Sequence, residues 1–170
     1  MTDFIELCRQ RHSVRSYTAT PLTEKETDYI MECARLAPSA CNRQPWKFLV
    51  VTSPEQRKAL QGAYDRPWFA TAPLYIVCLK NTRDNWVRRF DGKPYGDVDV
   101  AIAAEHICLA AADLGLGSCW VANFDPEKVR AFYPSPDYEA VAIITIGHAA
   151  GEPTAVTHTR KDAADIIERM

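Results

Sequence analysis

The 170-residue chain has no long apolar run, no paired cysteine motif and no marked excess of either charge. No stretch approaches the ~18 uninterrupted apolar residues of a membrane-spanning helix. The net charge of −2 does not suggest nucleic acid or an anionic membrane as partner, so any basic ligand site has to be local. The cysteines at 8, 33, 41, 78, 108 and 119 include no CxxC, and no His stands at metal-ligand spacing from any of them. No metal site is expected, and Cys33, Cys78 and Cys108, which fall on apolar faces, read as reduced core thiols. Also missing are a GxGxxG following a strand, a GxxxxGK(S/T) loop and a GxSxG elbow, which removes the signals for a dinucleotide fold, a P-loop and a serine hydrolase. The first residues, MTDFIELCRQ, carry acidic side chains and no apolar signal core, so the expected location is the cytoplasm. No internal repeat or low-complexity segment is present.

What remains is an ordinary globular composition, 47% apolar and 25% charged. Its length fits one domain spanning 1–170, able to bury roughly 70% of the surface its unfolded form exposes. The most distinctive stretch is Leu36 to Val51, LAPSACNRQPWKFLVV. A helical pattern stops at Pro38, because proline disfavours helix in the residue before it. A loop of small and amide residues follows, longer than a turn requires. Small side chains let a ligand approach the backbone, Asn42 and Gln44 offer donors and acceptors, and Trp46 offers a flat apolar wall. The loop suits a planar, heteroatom-rich ligand; it also reads as an irregular connection satisfying its own backbone. Cys41 within it is a small filler or a reactive thiol.

Along the chain, Phe4, Ile5, Leu7 and Cys8 predict a short helix to about Arg11. The cluster Arg9, Arg11, His12, Ser13, Arg15 follows, leading into an extended stretch to Tyr17. Arginine forks and a serine hydroxyl are what phosphate oxygens need; a solvated basic helix end is the alternative. Thr23 and Glu26 form a capping-box signature ahead of a helix carrying Ile30, Cys33, Ala34 and Ala37. Strands are predicted at 47–52, 74–79, 118–121 and 140–147, the last the best candidate for a central strand. Ser53-Pro54 and Asp125-Pro126 read as N-cap and N1 of short helices. Residues 97–114 give the longest helix, about 25 Å at ~1.5 Å per residue. It is apolar nearly all round, which predicts a central helix, a subunit interface or both. His106 within it reads as a satisfied core residue. The polar 81–96 segment reads as a lid or as an ordered surface loop. A basic stretch at 158–161 leads into a final amphipathic helix to Glu168.

Four stretches, RHSVRSY at 11–17, APSACNRQPWKFLVV at 37–51, LAAADLGLGSCWVANFD at 109–125 and TRKDAADII at 159–167, resemble the nitroreductase family of FMN-dependent oxidoreductases in order and spacing. The resemblance covers nearly the whole chain and points to the family's shorter members. It implies an α+β fold, a mostly antiparallel central sheet flanked by helices, in an intertwined homodimer with the long helix at the interface. It implies bound FMN contacted by both subunits, with NADH or NADPH as electron donor. By motif position, Arg11 and Ser13 resemble the phosphate contacts, with His12 beside them. Arg15 resembles the cation near the flavin pyrimidine edge, where reduction accumulates negative charge. Pro38, Ser39, Ala40 and Asn42 resemble the loop supplied by the other subunit, which Gln44 and Trp46 shape. Ala122 and Asn123 resemble the loop whose backbone N–H faces flavin N5. His158, Arg160 and Lys161 resemble the C-terminal phosphate ligands, so that two basic clusters converge on one phosphate. Tyr64, Asp65 and Arg66 stand where many relatives carry an Asn or Gln.

The function so implied is reduction of nitroaromatic, quinone or related small acceptors by a ping-pong hydride mechanism, with FMN rather than any side chain carrying the chemistry. Trp68, Phe69 and Phe124 are the candidate walls of the substrate pocket. Reductive dehalogenation or flavin fragmentation on the same fold, and an FMN-binding module without turnover, are the alternatives.

Overall fold

The computed structural model describes residues 3–151 and 159–170. Helices α1 (Phe4–Gln10) and α2 (Glu24–Arg35) precede strand β1 (Trp46–Val51), followed by α3 (Pro54–Gln61) and β2 (Leu74–Asn81). The long α4 (Gly96–Asp113) leads to β3 (Gly117–Val121), α5 (Pro126–Phe132), β4 (Tyr138–Gly147) and a last short helix, α6 (Ala163–Ile166). The strands form one sheet in the order β1-β2-β4-β3, every pair antiparallel. The α+β expectation is therefore met, and β4 is central together with β2.

Two-residue periodicity divides the core. Leu74, Ile76 and Cys78 on β2 and Ala142, Ile144 and Ile146 on β4 face one side, where they meet Ile30 and Ala34 of α2 and Val100, Ala104 and Ile107 of α4. Tyr75, Val77 and Leu79, with Ile143, face the other side, where Leu60, Phe69 and Val129 cover them. Both faces of the two central strands are buried, which is why they read as continuous apolar runs rather than alternating ones.

The caps form where the sequence places them. Thr23 and Glu26 make the reciprocal capping box of α2, Ser53 Oγ accepts from Gln56 N–H, and Asp125 accepts from the N–H groups of Glu127 and Lys128. Helix α4 ends in a Schellman motif: Leu116 N–H donates to Ala111 O, Gly115 N–H donates to Ala112 O, and Gly115 takes φ +71°. Within one chain its burial is one-sided. One face, with Val100, Ala103, Ala104, Ile107 and Ala111, is buried, while Val98 is 40% exposed. Ala101, Ile102, Leu109 and Ala112 are only half-buried, because the helix lies across one side of the sheet. The final helix is also shorter than expected: four residues, all exposed.

Segment 81–96 is an ordered loop in this chain. Asn81 Oδ1 accepts from Arg83 and Asp84 N–H. Val87 and Pro94 form a bridge, and Trp86 meets Tyr95 edge-on with ring centroids 5.1 Å apart.

The thiols are all free, with Cys78, Cys108 and Cys119 buried and Cys33 half-buried. Burial pushes the Cys78 thiol up and pushes Cys108 up to about 12. In the unfolded chain such thiols ionise from about pH 8.5. Their folded-state pKa values are raised, so the stability they contribute is present below that pH and is lost as pH rises from there to the folded values. The thermal midpoint should fall between pH 8 and pH 10, and a Cys78→Ala, Cys108→Ala double variant should flatten the fall. An unchanged slope would assign it to other groups.

Candidate functional site

The basic segment is held by the sheet edge. Past α1, Arg11 N–H closes the helix on Leu7 O, and the chain then extends beside β3. Val14 N–H donates to Ser118 O, Thr18 N–H to His148 O, and Ala150 N–H to Ser16 O. The buried Tyr17 hydroxyl donates to Val14 O at 2.8 Å and lies 2.7 Å from Thr145 Oγ1; burial raises its pKa well above the ordinary tyrosine value. Gly117 is required by close approach: a Cβ there would come within 2.6 Å of Val14 Cγ2.

This fixed backbone presents Arg11, His12, Ser13 and Arg15 to two adjoining hollows. One, of about 190 Å³, is lined by Arg11 and His12 with Ala112 and Gly115–Ser118. The other, of about 680 Å³, is lined by His12–Ser16, Gly115 and His148–Gly151. His148 and its two alanine neighbours had no sequence signal, because only the pairing of 16–18 with 148–150 brings them there. His12 Nδ1 lies 2.8 Å from Gln10 O. Arg11 Nε lies 3.6 Å from Glu105 Oε1, and burial raises the Glu105 carboxyl pKa against the opposing pull of Arg11 and His106. Cys119 lies under the same segment: burial raises its thiol pKa, while Arg15 and Ser13 pull it down. The Arg15 guanidinium, an imidazole and a hydroxyl on the larger hollow, with Arg11 on the adjoining one, fit the phosphate end of FMN, and the larger volume lies in the range of ordinary cofactor sites.

The second expected element is built separately. Ser39 Oγ accepts from Gln44 N–H at 2.8 Å, and Asn42 Oδ1 accepts from Gln44 Nε2 at 3.1 Å. Cys41, Asn42 and Gln44 all take positive φ, near +50°. For non-glycine residues such conformations cost on the order of 1 kcal/mol each, so the surroundings must impose them. Ala40 N–H donates to Asp99 Oδ1 at 2.8 Å, and Arg43 pairs with Asp84 at 3.2 Å. Asp99 was missed from the sequence, although a lone acid on the buried side of an apolar helix is a signal. Trp46 packs against the core beneath α2 and α4 rather than standing free, and His106 Nδ1 lies 3.0 Å from Cys33 O, a satisfied position.

Within one chain the structure does not bring Pro38–Asn42 together with Arg11–Arg15. The loop is anchored at the first turn of α4 and the groove opens at its last, about 20 Å along the axis. Ala122 and Asn123 are exposed just past β3. Asn123 and Phe124 line a hollow of about 360 Å³ with Gly62–Asp65, Asp125 and Lys128, so the 64–65 and 123–124 stretches are neighbours. Arg160 and Lys161 are exposed and line none of these hollows; Arg160 Nη1 donates to Thr159 O. His158 lies outside the described residues.

Of the three aromatic walls, Phe69 is a correction. Its ring is fully buried, 4.7 Å from the Tyr75 ring and 5.4 Å from Tyr64, so it is core and lines no open surface of the chain. Trp68 and Phe124 are half-buried against the same cluster. Among the described residues no helix is long and apolar enough to cross a membrane, and no group of three or more His, Cys, Asp or Glu is placed to hold a metal ion.

Comparison with known proteins gives a consistent result. The family model described as the nitroreductase family matches residues 8–66 and 60–148. A crystal structure of a nitroreductase family protein from Clostridium difficile 630 superposes with a TM-score of 0.92 at 30% identity, covering 98% of each chain. An FMN-dependent nitroreductase from Clostridium difficile R20291 superposes with a TM-score of 0.82 at 27% identity, over 96% of this chain and 97% of that one. The FMN reductase (NAD(P)H) of Bacillus subtilis strain 168 is 27% identical over 167 residues, which are 88% of this chain and 67% of that protein.

Proposed function

The chain belongs to the nitroreductase family, and on that premise we propose that it is an FMN-dependent NAD(P)H oxidoreductase, a single FMN-binding domain over 1–170 that works as a cytoplasmic homodimer. The observation that carries this reading is the groove formed by His12–Ser16 with His148–Gly151, with Arg11 beside it, in a chain of that family. FMN, when bound, supplies hydride acceptance and donation. The chain's own residues bind and orient. Arg11 and Ser13 hold the phosphate, with His12 beside them. Arg15, a permanent cation on the larger hollow, would favour negative charge on the flavin ring. Ala122 and Asn123 would offer backbone N–H donors to the flavin ring, and a backbone donor does not depend on side-chain identity. Arg160 and Lys161 line neither hollow within one chain, so they would reach the phosphate only from a second copy.

Pro38, Ser39, Ala40 and Asn42 complete the site from a second copy. Their anchorage at the far end of α4 from the groove supports this, as does the half-open stripe Val98, Ile102, Leu109 on α4, which a second copy would cover. The electron donor would be NADH or NADPH, and the acceptor a nitroaromatic, quinone or related small molecule. No side chain needs to act as acid or base.

The test is the visible spectrum of the purified protein with FMN, followed by anaerobic addition of NADH and NADPH separately. Flavin bands that bleach are expected, and the two rates rank the donors. A protein that binds no FMN would overturn the reading. Tight FMN binding with no reduction by either donor would leave a binding module.

A further inference from the structure

We infer that Asp99 is a positioning residue for the FMN site, setting the backbone of the 38–44 loop from the first turn of α4. The inference rests on the reading of that loop as part of the site. Among the described residues Asp99 is the one buried Asp, Glu, Lys or Arg, only 2% exposed. A carboxylate so placed is stable only if its surroundings match it. The match here is partial and specific. Oδ1 accepts from Ala40 N–H at 2.8 Å, while Oδ2 is buried with no hydrogen-bond partner. The neighbouring first-turn acid is engaged elsewhere, since Asp97 pairs with Lys80 at 2.9 Å.

The bond falls at the point of greatest leverage. Ala40 opens the turn whose next two residues, Cys41 and Asn42, take left-handed conformations. Loop residues held only by one another could relax to ordinary φ values together. Asp99 instead ties the entry of the turn to a helix that is part of the core, so the loop keeps its shape in the absence of ligand. Ser39 Oγ, bonded to Gln44 N–H, then closes the far side. A preorganised loop spares the cofactor the cost of ordering it. Asp99 itself touches no ligand; its oxygens are inside.

The experiment compares Asp99→Ala, Asp99→Asn and Asp99→Glu with the unmodified protein and with Leu60→Ala, a core truncation on the opposite side of the sheet. FMN affinity, the circular dichroism of the bound flavin and the thermal midpoint are measured, with binding read at a temperature where all are folded. Asp99→Ala is expected to bind FMN about tenfold more weakly, the loss of about one hydrogen bond's worth of loop order, with an altered flavin dichroism. Asp99→Asn, which keeps an acceptor oxygen, should stay within about threefold of the unmodified protein. Leu60→Ala should lose thermal stability and keep its FMN affinity. Asp99→Ala binding FMN like the unmodified protein, or losing no more than Leu60→Ala, would overturn the role. Should Asp99→Ala fail to fold, Asp99→Glu carries the test: the acceptor moved by one methylene must weaken FMN where Asp99→Asn does not. If the unmodified protein binds no FMN, the cofactor reading fails instead, a separate outcome.

Discussion

Arg11→Ala should weaken FMN binding by about 1.5–3 kcal/mol, roughly 10- to 150-fold, and leave the affinity for riboflavin almost unchanged. Riboflavin lacks the phosphate, so the two ligands separate a phosphate contact from general damage to the groove. The upper part of the range is expected. The Arg11 side chain is 23% exposed and lies 3.6 Å from Glu105. Removing the guanidinium deletes a charge-assisted donor and also leaves the Glu105 carboxylate without its nearby counter-ion. Isothermal titration with both ligands checks this. Equal losses for FMN and riboflavin would move Arg11 off the phosphate.

Phe69→Ala should destabilise the fold by about 3–5 kcal/mol, lowering the thermal midpoint by roughly 6–20 °C for a chain of this size. The ring is fully enclosed by Tyr64, Trp68 and Tyr75, and the Tyr75 hydroxyl donates to Phe69 O at 2.6 Å. No relaxation of so crowded a site can refill the space of a benzyl group. The KM for an acceptor should not move in the folded fraction. Trp68→Ala, at a half-buried position, should cost less stability. A Phe69→Ala protein with an unchanged midpoint and a raised KM would restore Phe69 to the substrate wall.

Phe69 shows where sequence reasoning stops. Three aromatics in a loop-like stretch and after β3 look alike in one dimension, and each could face a ligand. Which ring turns inward depends on the register of β2, which sets Tyr75 against Phe69. Arg11–Arg15 stand out in the sequence because their chemistry is local, donors for an anion clustered within five residues, and the structure sets them on two adjoining hollows. Asp99 was nearly silent, since its meaning comes from Ala40, 59 residues earlier. The same holds for His148–Ala150, which reach the groove only because the 16–18 segment pairs with them.

What the amino-acid order determined by itself is the set of local decisions. Thr23 with Glu26, Asp125 with Pro126 and Gly115 begin or end helices through bonds spanning a few residues. The apolar runs at 74–79 and 140–147 demand burial on both faces. Only the tertiary structure decided how these parts share space. It placed β2 and β4 side by side and sent the basic segment along β3. It laid α4 across one side of the sheet with a stripe left open, and it tied the 38–44 loop to a carboxylate on that helix. The physical reason is range. Capping and periodicity are short-range and are written in neighbouring residues, whereas burial, pairing and charge compensation are settled between residues that only the fold brings within a few ångströms.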